Sequence, residues 1–178
     1  MRRQEVRRQQ VNATANIRVP AIDVVVESAL WNDAAEAAVR RAIEEAAAAL
    51  GADFRNHALA VLLTDDAAIR RLNAQWRGID KPTNVLSFPP ADMPGDATVT
   101  SLGDIAIAHE TTAREAETDG KPFADHLSHL AIHGFLHLMG YDHEKDRDAE
   151  TMEQLERVIL ARIGVGDPYA ASRAAAGA

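Results

Sequence analysis

Three histidines in the last third of the chain have a spacing that suits a metal ion: His133, His137 and His143. His133 and His137 are four residues apart in a predicted helix, so both imidazoles lie on one face, with Cβ atoms about 5–6 Å apart. Gly140 ends that helix and lets the chain turn back, which brings His143 to the same place. The spacing H-x-x-x-H-x-x-G-x-x-H therefore predicts a tetrahedral site of the zinc type with three protein ligands.

The number of predicted ligands indicates what this site could do. Three protein ligands leave one coordination position open, which is typical of catalytic rather than structural zinc sites. Peptidases that share this spacing carry a glutamate directly after the first histidine as general base, whereas this chain has Gly134 there. The pattern therefore favours a catalytic metal site and argues against a peptidase.

Other polar residues near the three histidines fit the site less well. His129 lies one turn before His133 on the same face, and we expect it to support the site or to pack rather than to bind metal. His126 is expected to be exposed, whereas His109 follows a predicted strand and could face the site. Asp142 either accepts a hydrogen bond from the ring of a ligand or stabilises the loop.

The elements that must position these residues are strands and helices without a strict β-α-β rhythm. Strands are predicted over 21–27, 57–63, 85–88 and 103–108, and helices over 33–50, 65–75, 109–118, 123–139 and 146–163. A loop is predicted over 89–101. We predict an α+β fold, a single domain in which about five helices flank a small mixed sheet of about four strands.

The ends of the chain differ in composition from its centre. Residues 1–19 are Arg-rich and lack periodicity, so they are predicted to be a disordered extension, and the Ala-rich residues 165–178 are predicted to be a flexible tail. Residues 20–164 then form the metal-binding domain. The basic start is not followed by the apolar segment of a secretory signal.

The composition of the 178 residues limits the class of protein. No cysteine is present, so any metal must bind His, Asp or Glu, and a cytoplasmic location is expected. No apolar run approaches the roughly 20 residues that a membrane span needs. The net charge of −8 makes a general affinity for nucleic acid unexpected, because phosphate contacts need Lys and Arg. We expect neither a membrane nor DNA as a partner.

Three segments resemble a known family. Residues 133–143, HGFLHLMGYDH, resemble the signature of the bacterial YbeY family of endoribonucleases, the rRNA maturation factors. Residues 72–89, LNAQWRGIDKPTNVLSFP, and residues 102–107, LGDIAI, resemble two further segments of that family. One position departs from the pattern, since the family often has Asp after the Thr of the second segment and this chain has Asn84.

The resemblance implies a function for the predicted site. It implies one zinc-type ion, Zn²⁺, on the three histidines, cleavage of single-stranded RNA, and a part in 16S rRNA 3′-end maturation and ribosome quality control. The implied partners are the 16S rRNA precursor and ribosomal proteins or an assembly GTPase. Arg77 matches the functional arginine of the family, and a guanidinium can bind phosphate through two hydrogen bonds. We therefore expect catalysis to depend on Arg77 and His133.

Two alternatives stay open from the sequence. One is a ribosome-assembly binding factor whose metal is mainly structural, which the negative net charge favours because protein partners tolerate acidity better than RNA does. The other is a metallohydrolase that acts on another class of substrate.

Overall fold

The chain folds around one sheet of four strands. The structure is a computed structural model that describes residues 18–91, 98–143 and 146–170. The described elements are β1 (Ala21–Val26), α1 (Asp33–Leu50), β2 (His57–Thr64), α2 (Asp66–Arg77), β3 (Val85–Phe88), β4 (Thr100–Ala108), α3 (His109–Thr118), α4 (Phe123–Leu138) and α5 (Asp146–Arg162). The predicted α+β class, with four strands and five helices in the described residues, is confirmed.

The sheet is mixed, as predicted. Its strand order is β1-β2-β4-β3, in which β1, β2 and β4 run parallel and β3 runs antiparallel to β4. β3 is an edge strand whose Ser87 stands opposite Ile105 of β4. This edge lies beside the helix that carries the candidate metal ligands.

The two faces of β4 belong to different hydrophobic clusters, because successive side chains of a strand point to opposite sides. Ile105 and Ile107 pack in the main core with residues of α1, α4 and α5. Ala106 and Ala108 pack in a second cluster with Ile69 of α2. The sheet therefore separates α2 from α4.

β4 begins earlier than the sequence predicts. The predicted loop over 89–101 ends in strand, because Thr100 and Ser101 pair with His57 and Ala58 of β2. Such pairing between distant segments extends a strand beyond its own apolar pattern. The middle of that loop, residues 92–97, lies outside the described residues.

The ends of the chain are described only in part. Residues 1–17 of the predicted extension and 171–178 of the predicted tail lie outside the described residues. Val165 packs against the main core, and Tyr169 contacts Glu156 of α5. The first residues after 164 are therefore held against the domain by these contacts.

No helix among the described residues is both long and apolar enough to cross a membrane.

Candidate metal centre

Helix α4 carries two of the three candidate ligands and is anchored by its apolar side. Leu127, Ala131 and Phe135 are fully buried in the main core. His133 and His137 are only partly buried, so their rings reach the surface. Because packing fixes the helix along its length, these two histidines are presented from a rigid element.

The turn after α4 returns the third histidine to the same place. Gly140 has φ +86°, the left-handed conformation that glycine adopts without strain. The N–H of Tyr141 donates to the carbonyl of Leu136 at 3.1 Å, and the N–H of Gly140 donates to that of His137 at 3.0 Å. This is the Schellman arrangement expected at a helix end that stops at glycine.

The structure brings His133, His137 and His143 together. One ring nitrogen from each of the three lies within 4.8 Å of the other two. The Nε2 atoms of His133 and His137 are 3.0 Å apart. The ring of His143 is centred 5.5 Å from that of His133 and 5.0 Å from that of His137. These three residues form the candidate metal centre, and the exposed His143 lies on its outer side.

The nitrogen donors suit a zinc-type ion. In a tetrahedral site with bonds of ~2.0–2.1 Å, two nitrogen ligands lie about 3.3 Å apart, a few tenths of an ångström more than the 3.0 Å between His133 and His137. Burial lowers the pKa of His137, and the charges of His133 and His143 act in the same direction. A lowered pKa favours the neutral imidazole, which is the form that binds metal.

A buried carboxylate lies directly behind the candidate metal centre. The side chain of Glu156 on α5 is fully buried, and its Oε1 accepts a hydrogen bond from Nδ1 of His133 at 2.7 Å. Its Oε2 lies 3.3 Å from Nε2 of His129 and accepts a hydrogen bond from the hydroxyl of Tyr169. Burial raises the pKa of Glu156, but hydrogen bonds from His129 and His133 outweigh it and lower the pKa to about 2. The carboxylate is therefore ionised at neutral pH.

Sequence reasoning did not find Glu156 or Tyr169. A signal for Glu156 was present, because it falls in the apolar stripe of α5 between the buried Met152 and Ile159. A charged residue in an apolar stripe is rarely buried unless it is paired. Tyr169 had no comparable signal in the sequence.

Gly134 allows α4 to approach the sheet closely. A Cβ atom at this position would lie 3.1 Å from Ser87 Oγ and 3.1 Å from Ile105 Cγ2. The Ser87 hydroxyl also donates to the carbonyl of Gly134 at 3.0 Å. A side chain at position 134 would meet the sheet, so the absence of the peptidase glutamate has a packing reason.

Arg77 lies apart from the three histidines in the described contacts. It is the exposed last residue of α2, which packs on the opposite face of the sheet from α4. Among the described residues, its guanidinium forms no ion pair or side-chain hydrogen bond. The neighbouring Trp76 is 64% exposed, and its ring lies 6.0 Å from that of Phe88, the last residue of edge strand β3.

Two other histidines have structural partners. His109 packs against Trp31, with ring centroids 4.9 Å apart, and against Phe123 at 5.1 Å. The expectation that His126 is exposed is wrong, because it is buried and its Nε2 lies 2.9 Å from Glu115 of α3. The partner on a neighbouring helix makes this burial possible, and the local sequence does not reveal it.

Two polar residues of the sequence motifs stabilise backbone turns. Asp142 Oδ1 accepts a hydrogen bond from the backbone N–H of His143 at 2.7 Å, which supports the loop-stabilising alternative. Asn84 accepts from the N–H of Val85 at 2.6 Å and donates to Glu115 at 2.9 Å. An amide at position 84 can donate to that carboxylate, which an ionised aspartate cannot do.

Comparison with known proteins agrees with the resemblance that the sequence motifs indicate. The profile of the family described as Endoribonuclease YbeY matches residues 23–164. A protein named Endoribonuclease YbeY from Rhodopseudomonas palustris (strain BisB18) is 62% identical over 156 residues, which cover 85% of this chain and 93% of the relative. A protein of the same name from Nitrobacter hamburgensis is 58% identical over 159 residues, covering 85% of this chain and 83% of the relative.

A solved structure is similar as well. The solution structure of a Thermotoga maritima protein shares 27% sequence identity with this chain and superposes with a TM-score of 0.54. The match covers 78% of this chain and 86% of that protein. The long sequence matches, which span most of both chains, show that this chain belongs to the endoribonuclease YbeY family.

Proposed function

We propose that this chain is a metal-dependent endoribonuclease that cleaves single-stranded RNA, with one Zn²⁺ bound by His133, His137 and His143. The observation that carries the proposal is the convergence of three imidazole nitrogens within 4.8 Å at the surface of the domain. When bound, such an ion supplies Lewis acidity to a phosphodiester and a nucleophile from water. The relatives named as endoribonucleases support RNA as the substrate.

Arg77 is proposed to bind phosphate. Its guanidinium is exposed and without a carboxylate partner in the described part of the chain, so it is available to an RNA backbone. A guanidinium can donate two parallel hydrogen bonds to a phosphate group. Arg70 on the same helix differs, because it already donates to Asp80 at 2.6 Å and 2.8 Å.

Edge strand β3 contacts both the end of α2, which carries Arg77, and helix α4, which carries two candidate ligands. Trp76, next to Arg77, packs on Phe88, and the adjacent Ser87 donates to Gly134 of α4. An exposed indole offers a face on which an unpaired base can stack, whereas the bases of a duplex are already stacked. This placement supports a preference for single-stranded RNA. It also gives RNA a local contact surface despite the net charge of −8.

The proposed role in the cell follows from family membership. The substrate would be the precursor of 16S rRNA, cleaved during maturation of its 3′ end and in ribosome quality control in the cytoplasm. Ribosomal proteins or an assembly GTPase would bring the enzyme to this RNA. Residues 20–164 are proposed to form the catalytic domain, against which Val165 and Tyr169 of the following segment pack.

The test is RNA cleavage by the zinc-loaded protein. We expect wild type to cleave a single-stranded RNA and to leave a duplex intact, and we expect Arg77→Ala and His133→Ala each to lose this activity. Arg70→Ala is the matched control, because it removes an exposed arginine of the same helix that is already paired. Circular dichroism should show that Arg77→Ala is folded.

Three results would contradict the proposal. Equal cleavage by Arg77→Ala and wild type would reject the role of Arg77. A zinc-loaded wild type that binds ribosomal subunits but cleaves no RNA above background would instead support an assembly factor with a structural metal. Hydrolysis of another substrate class without RNA cleavage would support the remaining alternative.

A further inference from the structure

We propose that Glu156 and Tyr169 are positioning residues that fix the ring of His133 for metal binding. The inference rests on the proposed metal centre but not on the proposed cleavage of RNA. It starts from one contact, the hydrogen bond of 2.7 Å between Nδ1 of His133 and Oε1 of the buried Glu156.

This contact determines which ring nitrogen of His133 faces the metal centre. Glu156 accepts from the Tyr169 hydroxyl on one oxygen and lies 2.7 Å from Nδ1 of His133 on the other, so the geometry makes the carboxylate the acceptor and Nδ1 the donor that carries the proton. In a neutral imidazole the lone pair then lies on Nε2. That Nε2 atom faces the Nε2 atom of His137 at 3.0 Å, where an ion would be shared. Glu156 therefore selects the tautomer and the ring orientation that metal binding needs.

Tyr169 and His129 hold the carboxylate in turn. The Tyr169 hydroxyl donates to Oε2 of Glu156, and Nε2 of His129 lies 3.3 Å from the same oxygen. With His133 on Oε1, both carboxylate oxygens have partners, so Glu156 cannot rotate without losing hydrogen bonds. Tyr169 lies after α5, so the segment that follows the last helix contributes to the support of the metal centre.

A purely structural role explains this carboxylate less well. Glu156 lies among the buried Met152, Ile159 and Leu160, where an apolar side chain would pack without loss of hydration. Replacing a buried charged network by apolar residues of similar size is often neutral or stabilising. A positioning role accounts for a carboxylate at this place. Glu156 orients the metal ligand His133, although replacing the whole network by apolar residues would give an equally or more stable fold.

A second cation between His129, His133 and Glu156 is the competing interpretation, since their ligand atoms also lie within 4.8 Å of one another. An ion bound to two such atoms at ~2.0–2.1 Å holds them about 3.3 Å apart. His133 Nδ1 and Glu156 Oε1 are closer than this, at 2.7 Å, and the Tyr169 hydroxyl already contacts the other carboxylate oxygen. The distances favour a hydrogen bond and one bound ion.

The test measures zinc affinity of the full chain by competition with a chromophoric chelator. We expect Glu156→Met to weaken zinc binding by about 10- to 100-fold. Glu156→Gln keeps an acceptor for His133 and should recover part of this loss. Tyr169→Phe removes one hydrogen bond from the carboxylate, which we expect to weaken binding by about 2- to 10-fold.

Glu115→Gln is the matched control. Glu115 is also a carboxylate beside a histidine of α4, but it contacts His126 rather than a candidate ligand. This variant should bind zinc as wild type does. Urea unfolding of each metal-free variant separates the two roles, because the positioning role predicts that Glu156→Met loses zinc affinity while its metal-free form still folds cooperatively, even though the unpaired His133 and Tyr169 lower its stability.

Three outcomes would overturn the inference. One is zinc affinity in Glu156→Met and Tyr169→Phe equal to that of wild type. Another is a loss of zinc affinity that is not specific to Glu156. It would be seen if Glu115→Gln lost as much affinity, or if Glu156→Met lost affinity only because its metal-free form does not fold. The third is binding of two zinc ions, the second of which is lost in His129→Ala. Zinc binding that depends on Glu156 in a protein that cleaves no RNA would uphold the inference and reject the proposed function.

Discussion

Replacing Gly134 by alanine tests how closely α4 packs against the sheet. The added Cβ would lie 3.1 Å from Ser87 Oγ, 3.1 Å from Ile105 Cγ2 and 3.3 Å from Ile105 Cδ1. Ordinary van der Waals contacts between such atoms are about 3.5–4.0 Å, so the neighbours or the helix must shift by a few tenths of an ångström. Overpacking of this kind lowers the free energy of unfolding by about 1–3 kcal/mol.

Helix propensity acts in the opposite direction. Alanine in a helix interior is favoured over glycine by about 1 kcal/mol, because it loses less backbone entropy on folding. The sum of the two effects is a Gly134→Ala variant whose free energy of unfolding is unchanged or reduced by up to about 2 kcal/mol. Urea unfolding of the metal-free protein measures this difference.

Two further variants separate these contributions. Ala37→Gly on the exposed side of α1 gives the propensity difference alone, about 1 kcal/mol. Ser87→Ala removes one of the atoms that the new Cβ meets. It should therefore lower the free energy of unfolding less in the Gly134→Ala protein than in wild type. If Gly134→Ala instead raised the free energy of unfolding by about 1 kcal/mol, the close approach of α4 to the sheet would be refuted.

Two other predictions concern Glu115 and Trp76. Burial raises the pKa of Glu115, but hydrogen bonds from His126 and Asn84 outweigh it, so the pKa is below its usual value. The ionised carboxylate therefore stabilises the fold above its unfolded pKa of about 4.5, and this contribution is lost as the pH falls through the folded pKa. Melting curves from about pH 7 to about pH 3 should show the deficit of Glu115→Gln shrinking with acidification, and a constant deficit would contradict it. For Trp76→Ala, fluorescence anisotropy should show that binding of single-stranded RNA is weakened by about 1–3 kcal/mol. An equal loss of affinity for duplex RNA would rule out base stacking on Trp76 as the cause.

The convergence of the three histidines was predictable because it depends on local features. The i, i+4 spacing of His133 and His137 and the turn at Gly140 are contained in a segment of eight residues, and each has a known geometric consequence. The strand and helix pattern is local as well, which is why most element bounds agree with the sequence to within two residues.

The support of that site was not predictable in the same way. Glu156 is 23 residues from His133, and Tyr169 is 13 residues further along, so their contacts depend on how α5 and the following segment pack against α4. The prediction that His126 is exposed is wrong for a similar reason, since its partner Glu115 lies on another helix. Periodicity identifies the face of a helix but does not say which polar group on a neighbouring helix will meet it.

One helix performs both tasks on which the candidate metal centre depends. The side of α4 that carries Gly134 and Phe135 packs against the sheet and the core, and the side that carries His133 and His137 holds the candidate ligands. A shift of the packed side therefore moves both imidazoles together relative to His143, which lies beyond the turn. A metal site needs its ligands held to within about 0.5 Å. The close packing of α4 at Gly134 and the hydrogen bond that His133 donates to Glu156 both restrict the position of the His133 ring. Core packing and metal affinity should consequently be coupled in this domain, although none of the candidate ligands among the described residues belongs to the hydrophobic core.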